Sequence, residues 1–233
     1  MTTTLQNPSG RTLTVKEVFA TVQGEGSRTG QPAVFVRFAG CNLWNGAESR
    51  RGAASGHCGA WCDTDFVGGT KETAGSLLER IVNTASGAGI VRPLVVFTGG
   101  EPLLQATSNP VEFVAVLVGC LSRGWETALE TNGTVAMPPA VASQWSHVTV
   151  SPKGSRAAPG STAHLKPFQA SDLKIVVPCP MPVERLTEIY TGATLYFQPC
   201  DIAGQDNTQQ SIALANKHGG RLSVQTHKVL GLP

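Results

Sequence analysis

Short runs of β-branched and aromatic residues alternate along the chain with longer stretches in which apolar positions recur at helical spacing. The runs predict strands at 13–22, 33–38, 94–97, 127–130, 147–150, 173–177, 195–197 and 222–225. The longer stretches predict helices at 72–84, 110–123, 182–190 and 207–218. Repeated strand–helix–strand order implies right-handed crossovers and a parallel sheet.

The predicted helices are too few for the eight βα units of a closed barrel. We therefore expect an α/β fold of the partial type, an open parallel β/α barrel with about six core strands. Functional side chains of such a fold lie where strands end and loops begin. Cys41, Gly99-Gly100-Glu101 and Glu130-Thr-Asn-Gly133 all follow predicted strands.

Length and composition favour a single domain over residues 1–233, since 41% hydrophobic residues suffice for one core. The segment 45–57 is rich in Gly, Ala, Ser and Arg and predicts a surface loop insertion. Charged residues make up 15% of the chain and the net charge is +2, so no basic stripe indicates a nucleic-acid partner. A small-molecule substrate is expected instead.

The chain contains no apolar run near the roughly 20 residues that a membrane span needs. Residues 1–11 also lack the basic-then-apolar order of a secretory signal. We therefore expect a cytoplasmic protein without a membrane partner. In a reducing compartment the six cysteines remain thiols, and metal binding by some of them is favoured over disulfide bonds.

Three of these cysteines, Cys41, Cys58 and Cys62, are clustered and lead directly into Asp63-Thr64-Asp65. Three thiolates without a fourth ligand are typical of a [4Fe–4S] cluster that keeps one iron free for another ligand. The gaps between the cysteines are sixteen and three residues, so His57 remains an alternative to Cys58. A structural zinc site is a further alternative, but it needs a fourth ligand from elsewhere.

An apolar strand that runs into Gly99-Gly100-Glu101-Pro102 adds a second signal. Glycines let a backbone approach a ligand closely, although the same turn could be an ordinary strand-to-helix connection. Together with the three cysteines, this turn resembles the site at which radical S-adenosylmethionine (SAM) enzymes hold the methionine end of SAM. In that resemblance the region of Glu101 receives the ammonium group of SAM.

A series of motifs makes the resemblance closer. In chain order they are 21–26 (TVQGEG), 33–43 (AVFVRFAGCNL), 62–65 (CDTD), 98–102 (TGGEP), 130–133 (ETNG), 151–153 (SPK) and 198–201 (QPCD). The ordered series resembles the 7-carboxy-7-deazaguanine synthase family over nearly the whole chain, with a widened gap after the first cysteine.

The resemblance implies a radical SAM lyase of queuosine and 7-deazapurine biosynthesis. Its reaction contracts 6-carboxy-5,6,7,8-tetrahydropterin to 7-carboxy-7-deazaguanine and releases ammonia. A 5′-deoxyadenosyl radical takes hydrogen from C6 of the pterin and the hydrogen later returns, so SAM acts catalytically and no protein residue serves as acid or base. The implied cofactors are one [4Fe–4S] cluster, SAM and Mg²⁺. The implied partners are flavodoxin or a similar electron donor and a second copy of the chain.

The resemblance also implies roles for individual residues. The expected cluster ligands are Cys41, Cys58 and Cys62, and Thr64 is the expected Mg²⁺ ligand. The expected substrate contacts are Val22, Gln23, Gly24, Glu25, Arg37, Thr98, His227 and Pro233. The expected SAM contacts are Trp61, Asp63, Gly100, Glu101, Ser151, Lys153, Gln198, Pro199, Cys200 and Asp201. The tail 226–233 is expected to fold into the site, with a carboxylate at Pro233 that accepts hydrogen bonds from the pterin.

Each role has a plainer alternative. Arg37 lies on an alternating strand and could face solvent, Thr64 could cap a helix, and the tail could be a frayed end. Cys120, Cys179 and Cys200 are expected to be reduced core or bystander thiols. For the whole chain, a glycyl-radical activating enzyme and a non-catalytic zinc or iron–sulfur module are the rival interpretations.

Overall fold

The structure, a computed structural model, describes residues 11–53, 56, 58, 62–201 and 206–233. Within these residues one sheet contains nine strands in the order β3-β1-β2-β4-β5-β6-β7-β8-β9. The strands are β1 Leu13–Val22, β2 Pro32–Phe38, β3 Thr70–Glu72, β4 Leu94–Gly99, β5 Glu126–Thr131, β6 His147–Val150, β7 Asp172–Val177, β8 Thr194–Pro199 and β9 Arg221–Leu222.

Strands β2 and β4 to β9 pair in parallel in that order along the sheet, whereas β1 runs antiparallel to β2 and β3. In the described part of the chain, β3 and β9 are the two edges of the sheet, which is therefore not closed. Six parallel strands, β2 and β4 to β8, are flanked by the two-residue β9. The predicted open parallel fold with about six core strands is confirmed.

Helices connect most of the parallel strands. They are α1 Ala74–Gly87, α2 Pro102–Ser108, α3 Pro110–Leu121, α4 Pro139–Ala142, α5 Val183–Ile189, α6 Thr208–His218 and α7 Thr226–Val229, with 3₁₀ turns at Gly26–Arg28 and Glu48–Ala53. Helix α1 begins where the Thr73 side chain accepts a hydrogen bond from Ser76 N. Helix α3 begins at Pro110, where the missing N–H costs nothing.

The core lies between the sheet and helices α1 and α3. Its centre is an aromatic cluster in which Phe97 of β4 and Phe113 of α3 have ring centroids 5.6 Å apart, while Phe38 of β2 lies 5.3 Å from Phe113. All three side chains are fully buried. The four apolar residues 94–97 are likewise fully buried, which explains why β4 reads as an unbroken apolar run.

The structure departs from the predicted elements at five places. Strand β3 and helices α2, α4 and α7 are additional, and the last predicted strand is limited to Arg221–Leu222. Strand β3 is polar (Thr-Lys-Glu) and forms only because β1 offers it an edge. Helices α2, α4 and α7 have seven residues or fewer, too few to show a helical period.

No single helix in the described ranges has the length and apolar character to cross a membrane. Helices α2 and α3 meet those criteria only when taken together, and they are bent by 116° relative to each other.

Candidate active site

A cavity of about 470 Å³ lies on the sheet, and its wall includes the carboxyl ends of several parallel strands. These ends meet at one edge of a parallel sheet, where open α/β folds bind ligands. The loop after β1 and the tail 226–233 complete the wall. The volume is in the range of small-molecule sites.

Most of the predicted site residues line this one cavity. They are Val22, Gln23, Glu25, Arg37, Cys41, Cys58, Cys62, Asp63, Thr64, Thr98, Gly100, Ser151, Lys153, Gln198, Pro199, Cys200, Asp201, His227 and Pro233. Gly24 and Glu101 are not part of the wall. Trp61 and the alternative ligand His57 lie outside the described residues.

The glycine-rich turn packs directly against the loop that carries Cys41. Glu101 N donates to Gly40 O at 2.9 Å, and a Cβ on Gly100 would lie 2.0 Å from the same oxygen. Gly99 has φ +138°, and a Cβ there would lie 2.3 Å from Phe38 O. Both glycines are therefore required by this close backbone contact.

The three thiols lie on the wall of the same cavity. Cys62 N donates to Cys58 O at 2.7 Å, so these two residues form one turn. Burial raises the pKa of Cys58 to about 11 and also raises the pKa of Cys41. The donor set fits an iron–sulfur cluster, which thiolates hold. No three His, Cys, Asp or Glu side chains among the described residues are already gathered into a metal site.

The predicted insertion contacts the turn that carries Cys62. The Arg51 guanidinium lies 4.3 Å from the Trp44 ring centroid, and Arg51 Nη1 donates to Cys62 O at 3.2 Å. Arg51 also pairs with Glu48, which is three residues away in the same 3₁₀ turn. The described part of the insertion is thereby attached to the loop of thiols.

Arg37 lies on the cavity wall and is paired within the protein. Its Nε donates to Glu17 Oε1 at 2.6 Å, and its guanidinium lies 5.6 Å from the Phe19 ring centroid. The side chain is 21% exposed, so the solvent-facing alternative does not describe it. Glu17, which sequence reasoning missed, is therefore the partner that holds the Arg37 guanidinium in place.

Thr64 lines the cavity between two charged neighbours. Asp63 pairs with Lys228 Nζ at 2.7 Å, and Asp65 pairs with Lys16 Nζ at 2.7 Å. The helix-capping alternative for Thr64 is wrong, since the next helix in the described chain begins ten residues later at Ala74.

A buried polar network forms one side of the cavity. Sequence analysis placed its member Glu130 in a motif without assigning it a role, and missed its member Lys174. Gln23 Nε2 donates to Glu130 Oε1 at 3.1 Å, and Thr98 Oγ1 donates to Glu130 Oε2 at 2.9 Å. Lys174 pairs with Glu25, which also accepts from Gln198 Nε2 at 2.9 Å. Lys174 could have been noticed, because it is the one charged residue inside an otherwise apolar strand segment (Leu-Lys-Ile-Val-Val).

These contacts determine the charge states of Glu25 and Lys174. Burial opposes ionisation of Glu25, but the Lys174 ammonium and hydrogen bonds from Lys174, Gln198 and Gln225 outweigh it and lower the pKa of Glu25. Burial similarly opposes the charge of Lys174, but attraction to the Glu25 carboxylate is stronger than this effect and raises the pKa of Lys174. The cavity therefore contains a stable ion pair at neutral pH.

Glu101 lies behind the cavity rather than on its wall. Its fully buried carboxylate accepts hydrogen bonds from Leu103 N at the start of α2, from Thr131 Oγ1 and from Asn132 N. Burial raises the pKa of Glu101 to about 7 despite these donors. The side chain thus joins α2 to the end of β5 and does not reach the space in which a ligand would lie.

The tail packs against β1 and the loop that follows it. Thr226 N donates to Gly24 O at 3.0 Å, and a Cβ on Gly24 would lie 2.0 Å from His227 Nδ1. Gly24 therefore makes room for His227, which faces the cavity. Lys228 Nζ pairs with Asp63 at 2.7 Å and Asp201 at 2.8 Å.

An open parallel sheet with a glycine turn and three thiols at its carboxyl ends is the partial barrel of the radical SAM class. The chain is similar in fold to the crystal structure of QueE from Escherichia coli, with a TM-score of 0.63 and 23% identity over 92% of this chain and 94% of that chain. No family model matches the chain.

Sequence relatives make the assignment narrower. The chain is 40% identical to a protein of Caulobacter vibrioides over 229 residues, 41% identical to one of Nitratidesulfovibrio vulgaris over 241 and 39% identical to one of Burkholderia multivorans over 231. Each match covers 95% of this chain and 100% of the relative, and each relative is named 7-carboxy-7-deazaguanine synthase. The chain belongs to the 7-carboxy-7-deazaguanine synthase family.

Proposed function

We propose that this protein is a radical SAM lyase that converts 6-carboxy-5,6,7,8-tetrahydropterin to 7-carboxy-7-deazaguanine with loss of ammonia. The reaction belongs to queuosine and 7-deazapurine biosynthesis. Family membership supports this proposal. The observation that carries it is that the three thiols, the Gly100 turn and the polar residues Gln23, Arg37 and Thr98 line one cavity.

Cys41, Cys58 and Cys62 would hold a [4Fe–4S] cluster at the end of the cavity near the glycine turn. The cluster would supply the electron that starts radical chemistry on bound SAM. Lys153, whose pKa is lowered by burial, donates to Ser151 Oγ at 2.9 Å and places a cation beside Cys58.

The remaining SAM contacts that we propose come from loops at the same strand ends. The backbone at Gly100 and the residues Asp63, Ser151, Lys153 and 198–201 line the part of the cavity that would hold SAM. The Glu101 carboxylate holds the end of β5 to α2, and Glu101 would contribute to SAM binding through the position of the turn that begins at Gly99.

The pterin would lie on the network of Gln23, Thr98 and Glu130. Both oxygens of Glu130 already accept hydrogen bonds there, which fixes the orientation of the carboxylate. Arg37 would bind the pterin carboxylate, for which a planar guanidinium is suited. A Mg²⁺ ion at Thr64 would bind through oxygen and retain several waters. His227 and Pro233 would close the substrate side.

We extend the proposal to partners on the basis of family membership. The enzyme acts in the cytoplasm as a homodimer and receives electrons from flavodoxin or a similar one-electron donor. Analytical ultracentrifugation of the purified protein tests the dimer, because the mass of one chain is 24.4 kDa.

An anaerobic assay with the carboxypterin, SAM and a reductant tests the reaction. Product should accumulate in excess of 5′-deoxyadenosine, because SAM is regenerated. A glycyl-radical activating enzyme would leave the pterin unchanged, and a zinc module would be colourless and contain no iron.

Iron and sulfide analysis of single Cys→Ala variants tests the ligand set independently of activity. Loss of iron is expected for Cys41→Ala, Cys58→Ala and Cys62→Ala, whereas Cys120→Ala is the matched control because this thiol lies in the core helix α3. Full cluster loading in Cys58→Ala would remove Cys58 from the ligand set.

A further inference from the structure

The loop between β1 and β2, residues 23–31, has two faces with different contacts. Its first residues, Gln23 and Glu25, direct their side chains to Glu130, Lys174 and Gln198 on the cavity wall. The following 3₁₀ turn, Gly26–Arg28, lies at the amino ends of the parallel strands, where it contacts the first residues of β7 and β5. The loop is therefore the floor of the cavity.

The turn is held from below by Asp172, the first residue of β7. Ser27 N donates to Asp172 Oδ2 at 2.9 Å, and Ser27 Oγ donates to the same oxygen at 2.8 Å and to Oδ1 at 3.0 Å. A Cβ on Gly26, which has φ +65°, would lie 2.7 Å from Asp172 Oδ2. Only glycine allows the turn to rest this closely on the carboxylate.

Asp172 is itself fixed in place. It is 1% exposed, and its Oδ2 lies 3.2 Å from Nε2 of His147, the first residue of β6. Burial opposes its ionisation, but hydrogen bonds from His147 and Ser27 outweigh this and lower the pKa of Asp172. The carboxylate thus joins the loop to two adjacent strands of the sheet.

We propose that Asp172 is a positioning residue of the active site. It acts through Ser27 and fixes the position of the Gln23 and Glu25 side chains in the cavity. This inference rests on the proposed function for its link to the pterin. Asp172 touches neither the cavity nor the thiols. Its main effect is on substrate binding, and any effect on SAM that passes through the hydrogen bond from Gln198 to Glu25 should be smaller. Gly26 N also donates to Oγ of the buried Ser223 at 3.2 Å, whereas Glu126 holds Arg28 and Gln31 at the exposed outer side of the loop.

The test compares Asp172→Asn and Ser27→Ala with wild type, and uses Glu126→Gln as the matched control. Asp172→Asn keeps one acceptor oxygen and Ser27→Ala keeps the backbone donor, so both proteins should fold. We expect KM for the carboxypterin to rise roughly tenfold in Asp172→Asn and a few-fold in Ser27→Ala. The SAM dissociation constant should change much less than KM for the carboxypterin, and the iron content should stay at its wild-type value. Glu126→Gln should change KM less than about twofold.

Hydrogen–deuterium exchange of residues 23–27 provides a readout that does not depend on turnover. Exchange should accelerate in Asp172→Asn and stay unchanged in Glu126→Gln. Wild-type KM or wild-type exchange in Asp172→Asn would overturn the proposal, as would an equal loss of SAM affinity. If wild type itself fails to convert the pterin, the proposed function is wrong, and the exchange experiment still decides whether Asp172 positions the loop.

Discussion

The hydroxyl of Thr21 donates a hydrogen bond of 2.9 Å to the carbonyl oxygen of Pro233. This contact joins the last residues of the chain to strand β1, which is 212 positions away in the sequence. Leu232 and Pro233 both line the cavity, and Leu232 N donates to His227 O at 2.8 Å. The tail is therefore an element of the cavity wall, and its position depends on β1.

Deletion of Leu232 and Pro233 should raise KM for the carboxypterin by tenfold or more, because it opens the wall on the substrate side. Thr21→Val should have a smaller, few-fold effect, since a neutral hydrogen bond contributes about 1 kcal/mol. Steady-state kinetics with calorimetric titration of SAM separates the two ligands. Val229→Ser is the control, because Val229 at the end of α7 is 80% exposed. Wild-type kinetics of the deletion variant would show that the tail contributes nothing to substrate binding.

Lys228 connects two loops that are proposed to contact SAM. Its ammonium pairs with Asp63 after the thiol turn and with Asp201 after β8. All three side chains are more than a third exposed, so the pairs should contribute at most about 1 kcal/mol to the free energy of unfolding. Their expected effect is on the relative position of the loops.

Lys228→Gln should therefore weaken SAM binding several-fold while leaving the urea midpoint nearly unchanged. Raising the salt concentration should weaken SAM binding to wild type more than to the variant, because salt screens exposed ion pairs. Lys217→Gln in α6 is a control for the loss of one positive charge. An unchanged SAM dissociation constant in Lys228→Gln would return Lys228 to the role of a surface ion pair.

Gly100→Ala should reduce the iron content of the protein. The added Cβ would lie 2.0 Å from Gly40 O and 2.9 Å from Cys41 Cβ, so the loop that carries the first thiol must move. Gly87→Ala near the end of α1 is the control, because a Cβ there meets nothing within 4 Å and helix propensity favours Ala. Full iron loading of Gly100→Ala after anaerobic reconstitution would contradict the expectation that the turn at Gly100 packs against the loop that carries Cys41.

The elements that sequence reasoning predicted well are those with a strong local pattern. Strand β4 reads as a run of apolar residues because every side chain in 94–97 is buried, and α3 begins at Pro110 as its pattern predicts. Strand β3 was missed because its three polar residues take their structure from pairing with β1.

Site residues that belong to a sequence motif could be predicted. The direction in which a side chain points could not be predicted where it depends on a partner from a distant part of the chain. Lys174 and Glu25 are 149 positions apart, so only the sheet register reveals the pair. Glu101 was expected to contact SAM, and its carboxylate turns instead toward Thr131 and the start of α2. A carboxylate at a strand end can face either way, and tertiary donors determine which.

The ion pair between Glu25 and Lys174 offers a test of the cavity's energetics. The side chains are 13% and 10% exposed, so removal of one partner leaves the other charge buried. Glu25→Gln and Lys174→Met should each lower the free energy of unfolding by about 3–5 kcal/mol, while the double variant should lose much less than the sum. Urea unfolding of the four proteins measures this coupling.

The same pair predicts a pH dependence with a definite sign. Because the folded-state pKa of Glu25 lies below its ordinary value of 4.5, its contribution is present above pH 4.5 and is lost as the pH falls below it. Because the folded-state pKa of Lys174 lies above 10.5, its contribution is present below pH 10.5 and is lost as the pH rises further. Between these limits the difference in stability between wild type and the Glu25→Gln/Lys174→Met protein should stay constant, and below pH 4.5 it should shift in favour of the double variant. Parallel loss of stability by both proteins on acidification would show that other carboxylates, and not Glu25, govern the acid response.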